Sequence, residues 1–303
     1  MTIRDALKEA GFALKKAGIE NSNLDASLLL AKILDTGRAK LIASAAEPLP
    51  QEAYMAFNEL IARRLKGECA AYILGYREFR GLEFHVNPSV LVPRPDTETL
   101  VEAAIAVFND QAGAGSGIAA NEARVLDLCT GSGAVAISLK HEQPQMEIWA
   151  SDISEQALET AKANAVRLLP ENSIHFRLGD LYSALPSENH KLPNGGSSSL
   201  VPRFSLIVSN PPYIPCGEIK TLSAEVQNEP RIALDGGKSG LQIIKCIIEG
   251  AVQHLIPGGA LVLEADPRQM KKIGILLENS GFNSIKLYKD LSNQERVICG
   301  ICE

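Results

Sequence analysis

The spacing of apolar residues changes along the chain, and each change predicts a different kind of element. Leu24, Leu28, Leu29 and Ile33 recur at i, i+4, i+5 and i+9, and Met55, Leu60, Ile61 and Leu65 share one side of a later stretch. Residues 1–75 are therefore expected to be helical. Pro48 and Pro50 separate the two patterns, and Arg63, Arg64 and Lys66 close the second where a helix dipole favours cations. From Phe79 to Val92 the period falls to two, with Leu82, Phe84 and Val86 alternating with Glu83 and His85. Together with Gly81 and the Asn87-Pro88 turn signal, this predicts a β-hairpin linker over 76–92. From 93 to 303 apolar strand runs alternate with helical patterns. Strands are expected at 125–128, 148–152, 174–178, 205–208 and 260–264, helices at 134–140 and 155–168, and a closing hairpin from 285–288 and 296–302. That alternation predicts an α/β fold with a doubly wound, mostly parallel sheet. Two stretches interrupt it, 111–121 and 186–202, whose Gly, Ala, Asn and Ser content reads as flexible surface insertion.

Composition narrows the function classes. The 303 residues suit one large domain and one small one, and 46% hydrophobic with 22% charged residues is ordinary for a globular chain. A net charge of −6 argues against a large phosphate-binding surface. No run reaches the roughly 18 apolar residues a membrane helix needs, and the amphipathic start lacks the apolar core of a secretory signal. The six cysteines are scattered, which fits thiols in a reducing cytoplasm. Cys299 and Cys302 form a C-x-x-C in a predicted strand, where side chains three apart point to opposite faces, so no metal or redox pair is expected.

Two segments carry candidate chemistry. Asp127-Leu128-Cys129-Thr130-Gly131-Ser132-Gly133 joins a strand to a helix, and its glycines allow a tight turn and close approach to a ligand. Cys129 occupies the first glycine position of the dinucleotide fingerprint, so the turn alone is equally a structural connection. Asp152 ends the next strand, where a carboxylate can accept two ribose hydroxyls or cap the following helix. Asp180, after the strand beyond it, can accept from an adenine amino group or simply shape a turn. The second segment, Ser209-Asn210-Pro211-Pro212-Tyr213, follows the apolar strand Leu206-Ile207-Val208. Its prolines fix φ and remove two N–H donors, Asn210 adds a side-chain oxygen, and Tyr213 adds a flat ring. Together they suit a planar group bearing an NH₂; the plain alternative is a proline-ended strand loop.

Asn-Pro-Pro-Tyr after such a strand resembles the amino-methyltransferases that act on exocyclic or amide NH₂ groups. Within them the chain is similar to the HemK/PrmC family of peptide chain release factor glutamine N5-methyltransferases. The resemblance runs through Ala71-Tyr72-Ile73-Leu74-Gly75, Phe79-Arg80-Gly81-Leu82-Glu83-Phe84 and Leu91-Val92-Pro93-Arg94-Pro95-Asp96-Thr97-Glu98. It continues with Asp127 to Gly133, Val208 to Ile214, and Glu229-Pro230-Arg231 leading to Leu234-Asp235-Gly236-Gly237. It implies a Rossmann-like class I S-adenosylmethionine-dependent methyltransferase domain over 93–303, with a helical substrate-docking domain over 1–75. It further implies that Cys129, Thr130, Gly131, Ser132 and Gly133 line the methionine part of S-adenosyl-L-methionine, with Asp127 among the cofactor-binding residues. Asp152 holds the ribose, Asp180 and Leu181 flank the adenine, and Arg94, Pro95 and Asn210 lie at the reactive end. The chain departs from the family pattern at Cys129, Cys69 and Asp266, and in the length of 186–202.

A carboxamide nitrogen is a poor nucleophile because its lone pair is delocalised into the carbonyl. The expected remedy is alignment without a metal. Asn210 Oδ1 and the Pro211 carbonyl accept the two N–H bonds of a glutamine, and Pro212 and Tyr213 complete the slot. The expected acceptor is the glutamine of the Gly-Gly-Gln loop of release factors, with S-adenosyl-L-homocysteine as product. A ribosomal-protein glutamine or a nucleobase amino group is the alternative for the same chemistry, and a cofactor-binding scaffold the alternative of another class. With 5% aromatic residues the chain offers little for holding a flipped base.

Overall fold

The computed structural model describes residues 1–113, 123–170, 174–186 and 202–303. Most of the two predicted insertions, 111–121 and 186–202, lies outside the described residues, while Gln111–Gly113 completes a helix. Two compact units are formed, Met1–Arg77 with Leu222–Asn228, and Glu78–Thr221 with Glu229–Glu303.

The first unit begins with α1 (Ile3–Lys16), α2 (Ser22–Ile33), α3 (Arg38–Ala43), α4 (Gln51–Leu65) and α5 (Ala70–Leu74). Thr2 and Asp5 close a capping box at the start of α1, satisfying backbone donors that have no helical partner. Leu14, Leu29, Leu30, Phe57 and Ile61 anchor the core. The buried faces differ from the sequence expectation: Leu24, Met55 and Leu65 are 39%, 59% and 44% exposed. In α4 the inward stripe is Phe57, Ile61 and Arg64, at i, i+4 and i+7, and its cationic last member disguised it.

Arg64 is buried because two carboxylates meet it. Its Nε lies 2.8 Å from Asp25 Oδ2 and its Nη2 2.7 Å from Glu225 Oε2, in the Leu222–Asn228 segment. Asn228 Nδ2 ties the same segment to the Gly67 carbonyl at 2.9 Å. Burial pushes the Asp25 carboxyl above its ordinary range, while Arg64 pulls it back.

The second unit takes up the chain within a hairpin, β1 (Tyr76–Phe79) and β2 (Leu82–His85), turned by Arg80 and Gly81 at φ 50° and 74°. Both central residues thus have positive φ, the twist that suits a two-residue hairpin. The strands end earlier than the predicted 92, since Asn87 to Val90 form a turn. Next come α6 (Glu98–Gly113), β3 (Arg124–Leu128), α7 (Ala134–Glu142), β4 (Glu147–Asp152), α8 (Glu155–Leu168), β5 (Ile174–Leu178) and β6 (Phe204–Ser209). The chain continues with α9 (Ala224–Gln227), which belongs to the first unit, then α10 (Gln242–His254), β7 (Leu255–Glu264), α11 (Met270–Asn279), β8 (Phe282–Lys289) and β9 (Glu295–Cys302).

Among the described residues seven strands form one sheet in the order β5-β4-β3-β6-β7-β9-β8. The first five are parallel, and β9 and β8 close it as an antiparallel hairpin. β6 is buried at every position, as a strand covered on both faces must be. Strand β7 starts five residues before the expected 260: a register shift against β6 accommodates Pro257-Gly258-Gly259 inside the strand as an irregularity. Cys299 packs on one face and Cys302 on the other, as their spacing predicted. The i, i+3, i+4, i+7 run of Ile244, Ile247, Ile248 and Ala251 in α10 was legible but not predicted.

Arg64→Ala leaves Asp25 buried without its main counter-charge and is expected to destabilise the protein by roughly 3–5 kcal/mol. The loss should shrink as pH falls and Asp25 takes up a proton. Urea unfolding at two pH values checks both, and an undiminished midpoint would contradict the role assigned to Arg64.

Candidate functional site

The strand order reverses between β3 and β6, because the chain runs outward through β4 and β5 before returning. In an open parallel sheet such a switch point leaves a crevice at the carboxyl ends of the strands. A cavity of about 520 Å³ occupies it, lined by residues that follow β3, β4, β5 and β6. Of the residues expected from sequence, Arg94, Asp127, Cys129, Thr130, Gly131, Ser132, Asp152, Asp180, Leu181, Asn210 and Pro212 line the cavity. Pro95, Gly133, Pro211 and Tyr213 do not. Gly133 caps α7 at φ 81°, and Pro95 is exposed in a short 3₁₀ turn, Pro95–Thr97.

Local geometry turns backbone and carboxylates toward this space. Cys129 and Leu181 adopt φ of 60° and 47°, a region that costs a non-glycine residue free energy and that gathers at ligand sites. Gly131, at φ 55°, faces open space: a Cβ built there meets no atom within 4 Å. Asp152 Oδ2 accepts the Gly131 N–H at 2.9 Å and its Oδ1 accepts the Ser154 N–H at 2.9 Å. Each oxygen keeps a lone pair for a further donor, the arrangement a vicinal diol requires. The capping role falls to Ser154, whose Oγ accepts the Ala157 N–H. Asp180 makes no side-chain cap bond and stands beside Leu181 on the wall. Val135, Ile153 and Ile243 supply apolar surface, so the residues present fit a nucleoside joined to a charged chain.

Burial shapes the electrostatics of the wall. It pushes the Asp127 carboxyl up to about 7, against the Thr130 hydroxyl and the Ala136 N–H that favour the ionised form. It raises the Asp152 carboxyl against three backbone N–H donors, and raises the Cys129 thiol, which Asp152 and Asp127 raise further. A cationic ligand would relieve this concentration of carboxylates.

Asn210 stands at the end of β6 with its amide already oriented. Its Nδ2 donates to Thr97 Oγ1 at 3.1 Å, which leaves Oδ1 as the acceptor. The following residues are held by backbone pairing: Ile214 N–H donates to the Leu234 carbonyl at 3.0 Å and Gly236 N–H to the Ile214 carbonyl at 2.9 Å. Gln269 Nε2 takes the Tyr213 carbonyl at 2.9 Å. Tyr213 turns its hydroxyl to Glu264 Oε1 at 3.4 Å and packs its ring against the core. Arg94 is fixed by the buried Glu229 through a 2.5 Å ion pair. Thr97, Glu229 and Glu264 received no role from sequence because each meets a residue distant in the chain. Asp266, where the chain departs from the family pattern, sits at φ −65° and caps the 3₁₀ turn Pro267–Gln269.

An open sheet of this order, with a ligand cavity at its switch point, a glycine turn after β3 and an acid after β4, defines a Rossmann-like class I S-adenosylmethionine-dependent methyltransferase. The guanine-N2 methyltransferase RsmC of T. thermophilus, solved with AdoMet and guanosine, has this fold: TM-score 0.50 at 19% identity, over 75% of this chain and 50% of that one. Residues 5–75 match the PrmC N-terminal domain and residues 116–225 the methyltransferase small domain. The release factor glutamine methyltransferase of Bradyrhizobium diazoefficiens is 39% identical over 91% of this chain and 86% of its own. That of Neisseria gonorrhoeae is 38% identical over 91% and 92%. The chain belongs to the release factor glutamine methyltransferase family. Among the described residues no helix is long and apolar enough to cross a membrane.

A Cβ at Gly236 would lie 2.7 Å from the Pro212 carbonyl oxygen and 2.8 Å from Tyr213 Cα, both backbone atoms that cannot swing aside. Gly236→Ala should therefore displace the Asn210–Tyr213 segment and lower kcat by roughly 10–100-fold, the scale of a small misplacement at a reacting centre. Kinetics of the folded variant check this; wild-type turnover would show that the close approach is unimportant.

Proposed function

We propose that this chain transfers the methyl group of S-adenosylmethionine to the side-chain amide nitrogen, N5, of the glutamine in the Gly-Gly-Gln motif of release factors. The family supports the reaction and the acceptor, and the observation that carries the chemistry is the oriented amide of Asn210. With its nitrogen given to Thr97, Asn210 presents an acceptor to the cavity. Asn210 Oδ1 and the Pro211 carbonyl take the two N–H bonds of the substrate amide, which strengthen as that nitrogen gains positive charge. Pro212 walls the slot, and Tyr213 holds the loop from behind.

The cofactor would supply a methyl on a positively charged sulfur and leave as S-adenosyl-L-homocysteine, the amide nitrogen giving up one proton to solvent as it takes the methyl. Cys129 to Gly133 would hold its methionine part, Asp152 its ribose hydroxyls, and Asp180 with Leu181 its adenine. Arg94 and Pro95 close the reacting end. With release factors as partners, the setting is the cytoplasm.

Incubation with methyl-labelled cofactor and purified release factors tests the acceptor: label should sit on the Gly-Gly-Gln glutamine and vanish when that residue is replaced. Label on a ribosomal protein or on nucleic acid instead would overturn it. Asn210→Ala should lower kcat by about 10²-fold or more, the scale of one preorganised polar partner, with cofactor affinity nearly unchanged. Asp152→Ala should do the reverse, weakening cofactor binding by about tenfold or more, the scale of losing hydrogen bonds to a charged acceptor. Titration calorimetry separates the two variants, and an Asp152→Ala protein with wild-type affinity would remove Asp152 from the cofactor site.

A further inference from the structure

We infer that Asn164 is a positioning residue for cofactor binding: its side-chain amide holds the Ser132 carbonyl and so keeps the Cys129 to Gly133 turn in its binding shape before a ligand arrives. This rests on the reading that the turn receives the methionine part of the cofactor.

Asn164 lies on α8 and is 0% exposed. Its Oδ1 accepts the His85 N–H at 2.8 Å. Its Nδ2 donates to the His85 carbonyl at 3.0 Å and to the Ser132 carbonyl at 2.9 Å. These partners fix the amide's orientation, since only its nitrogen can donate to two carbonyls and only its oxygen can accept the N–H. One buried side chain thus ties the end of β2 to the turn that follows β3.

The tie to β2 is shared with other residues of α8, and the tie to the turn is not. Thr160 Oγ1 accepts from Asn87 Nδ2 at 3.0 Å, and Arg167 pairs with Glu83 at 3.2 Å. Both hold α8 to the hairpin and the turn after it without Asn164. Among the described residues Asn164 alone donates a hydrogen bond to the Ser132 carbonyl.

The turn needs that hold. Cys129 takes φ 60°, a conformation that persists in a non-glycine residue only where its surroundings over-determine it. Gly131 and Gly133 flank Ser132, and glycine has the most alternative backbone states to lose. Near neighbours anchor the N–H groups: Thr130 donates to the Ser151 carbonyl at 3.0 Å, Gly131 to Asp152 Oδ2 at 2.9 Å, and Gly133 to the Thr130 carbonyl at 2.8 Å. The peptide between Ser132 and Gly133 is therefore gripped at both ends, its N–H by Thr130 and its carbonyl by Asn164. Gly131 and Ser132 line the cavity, so the setting of this peptide is the setting of the wall a ligand meets. The helix receives the turn closely: a Cβ built at Gly133 would lie 3.2 Å from Ala161 Cβ, three residues before Asn164.

A turn that holds its binding shape only about one time in ten weakens apparent affinity about tenfold. Once bound, the ligand itself holds the turn, so turnover at saturation is spared. A merely structural tie would lower stability and leave the affinity of the folded protein alone.

The test compares wild type with Asn164→Ala, Asn164→Leu and Thr160→Val. Asn164→Leu keeps the branched shape without the hydrogen bonds, and Thr160→Val cuts a neighbouring tie of α8 while leaving the turn untouched. Calorimetric titration with S-adenosyl-L-homocysteine should show both Asn164 variants binding about tenfold or more weakly. Their KM for S-adenosylmethionine should rise with kcat at saturation retained. Hydrogen exchange over 127–133 should be faster than wild type without ligand and return to the wild-type rate with it. Thr160→Val should lower Tm and keep wild-type affinity. Wild-type affinity in a folded Asn164 variant, an equal loss of affinity in Thr160→Val, or no folded protein from either Asn164 variant would overturn the inference. If S-adenosyl-L-homocysteine binds wild type without slowing exchange over 127–133, the reading beneath it fails instead.

Discussion

One hydrogen bond decides which face of Asn210 the cavity sees. The 3.1 Å contact from its Nδ2 to Thr97 Oγ1 fixes which way the amide points and leaves its Oδ1 free to accept. The two partners come from distant parts of the chain: Thr97 from the turn that opens α6, Asn210 from the end of β6. The packing of α6 against β6, β7 and β9 brings them together. The bridge from Ile214 to Asp235 and the closeness of Gly236 to the Pro212 carbonyl then hold Pro211, Pro212 and Tyr213 in place. A glutamine amide has two N–H groups to place, which is what the acceptors proposed for it at Asn210 and Pro211 would select.

The same switch point supplies the other half of the reaction. Positive φ at Cys129 and Leu181 and the bare Gly131 shape one wall from backbone, while Asp127, Asp152 and Asp180 give it a carboxylate character. Burial works against the charges of Asp127 and Asp152, a cost that a cationic ligand offsets. On the proposed reading, acceptors for a nitrogen that becomes positive share a cavity with carboxylates suited to a sulfur that begins positive.

Much of the fold was legible because buried parallel strands are continuous apolar runs. The expected strand at 174–178 and helix at 155–168 coincide with β5 and α8. The helix faces of the N-terminal unit were less legible. Arg64 occupies a core position, its charge met by Asp25 and Glu225, the latter 161 positions away, and no periodicity rule counts a cation as apolar. The Asn210 to Tyr213 segment could be read because its chemistry is contiguous. Its supports could not: Thr97, Glu229 and Glu264 are ordinary polar residues whose meaning comes from the sequence-distant residues they meet. Asp266 shows the converse, a departure from the family pattern that the backbone absorbs as a cap.

The most direct test of the account is neutron diffraction from a crystal of the chain with S-adenosyl-L-homocysteine and a Gly-Gly-Gln peptide, which locates the deuterons on the amides. The account predicts Asn210 Nδ2 still donating to Thr97, and the glutamine side-chain nitrogen donating one bond to Asn210 Oδ1 and the other to the Pro211 carbonyl. A glutamine amide lodged elsewhere in the cavity, or Asn210 turned with its nitrogen toward the peptide, would contradict it.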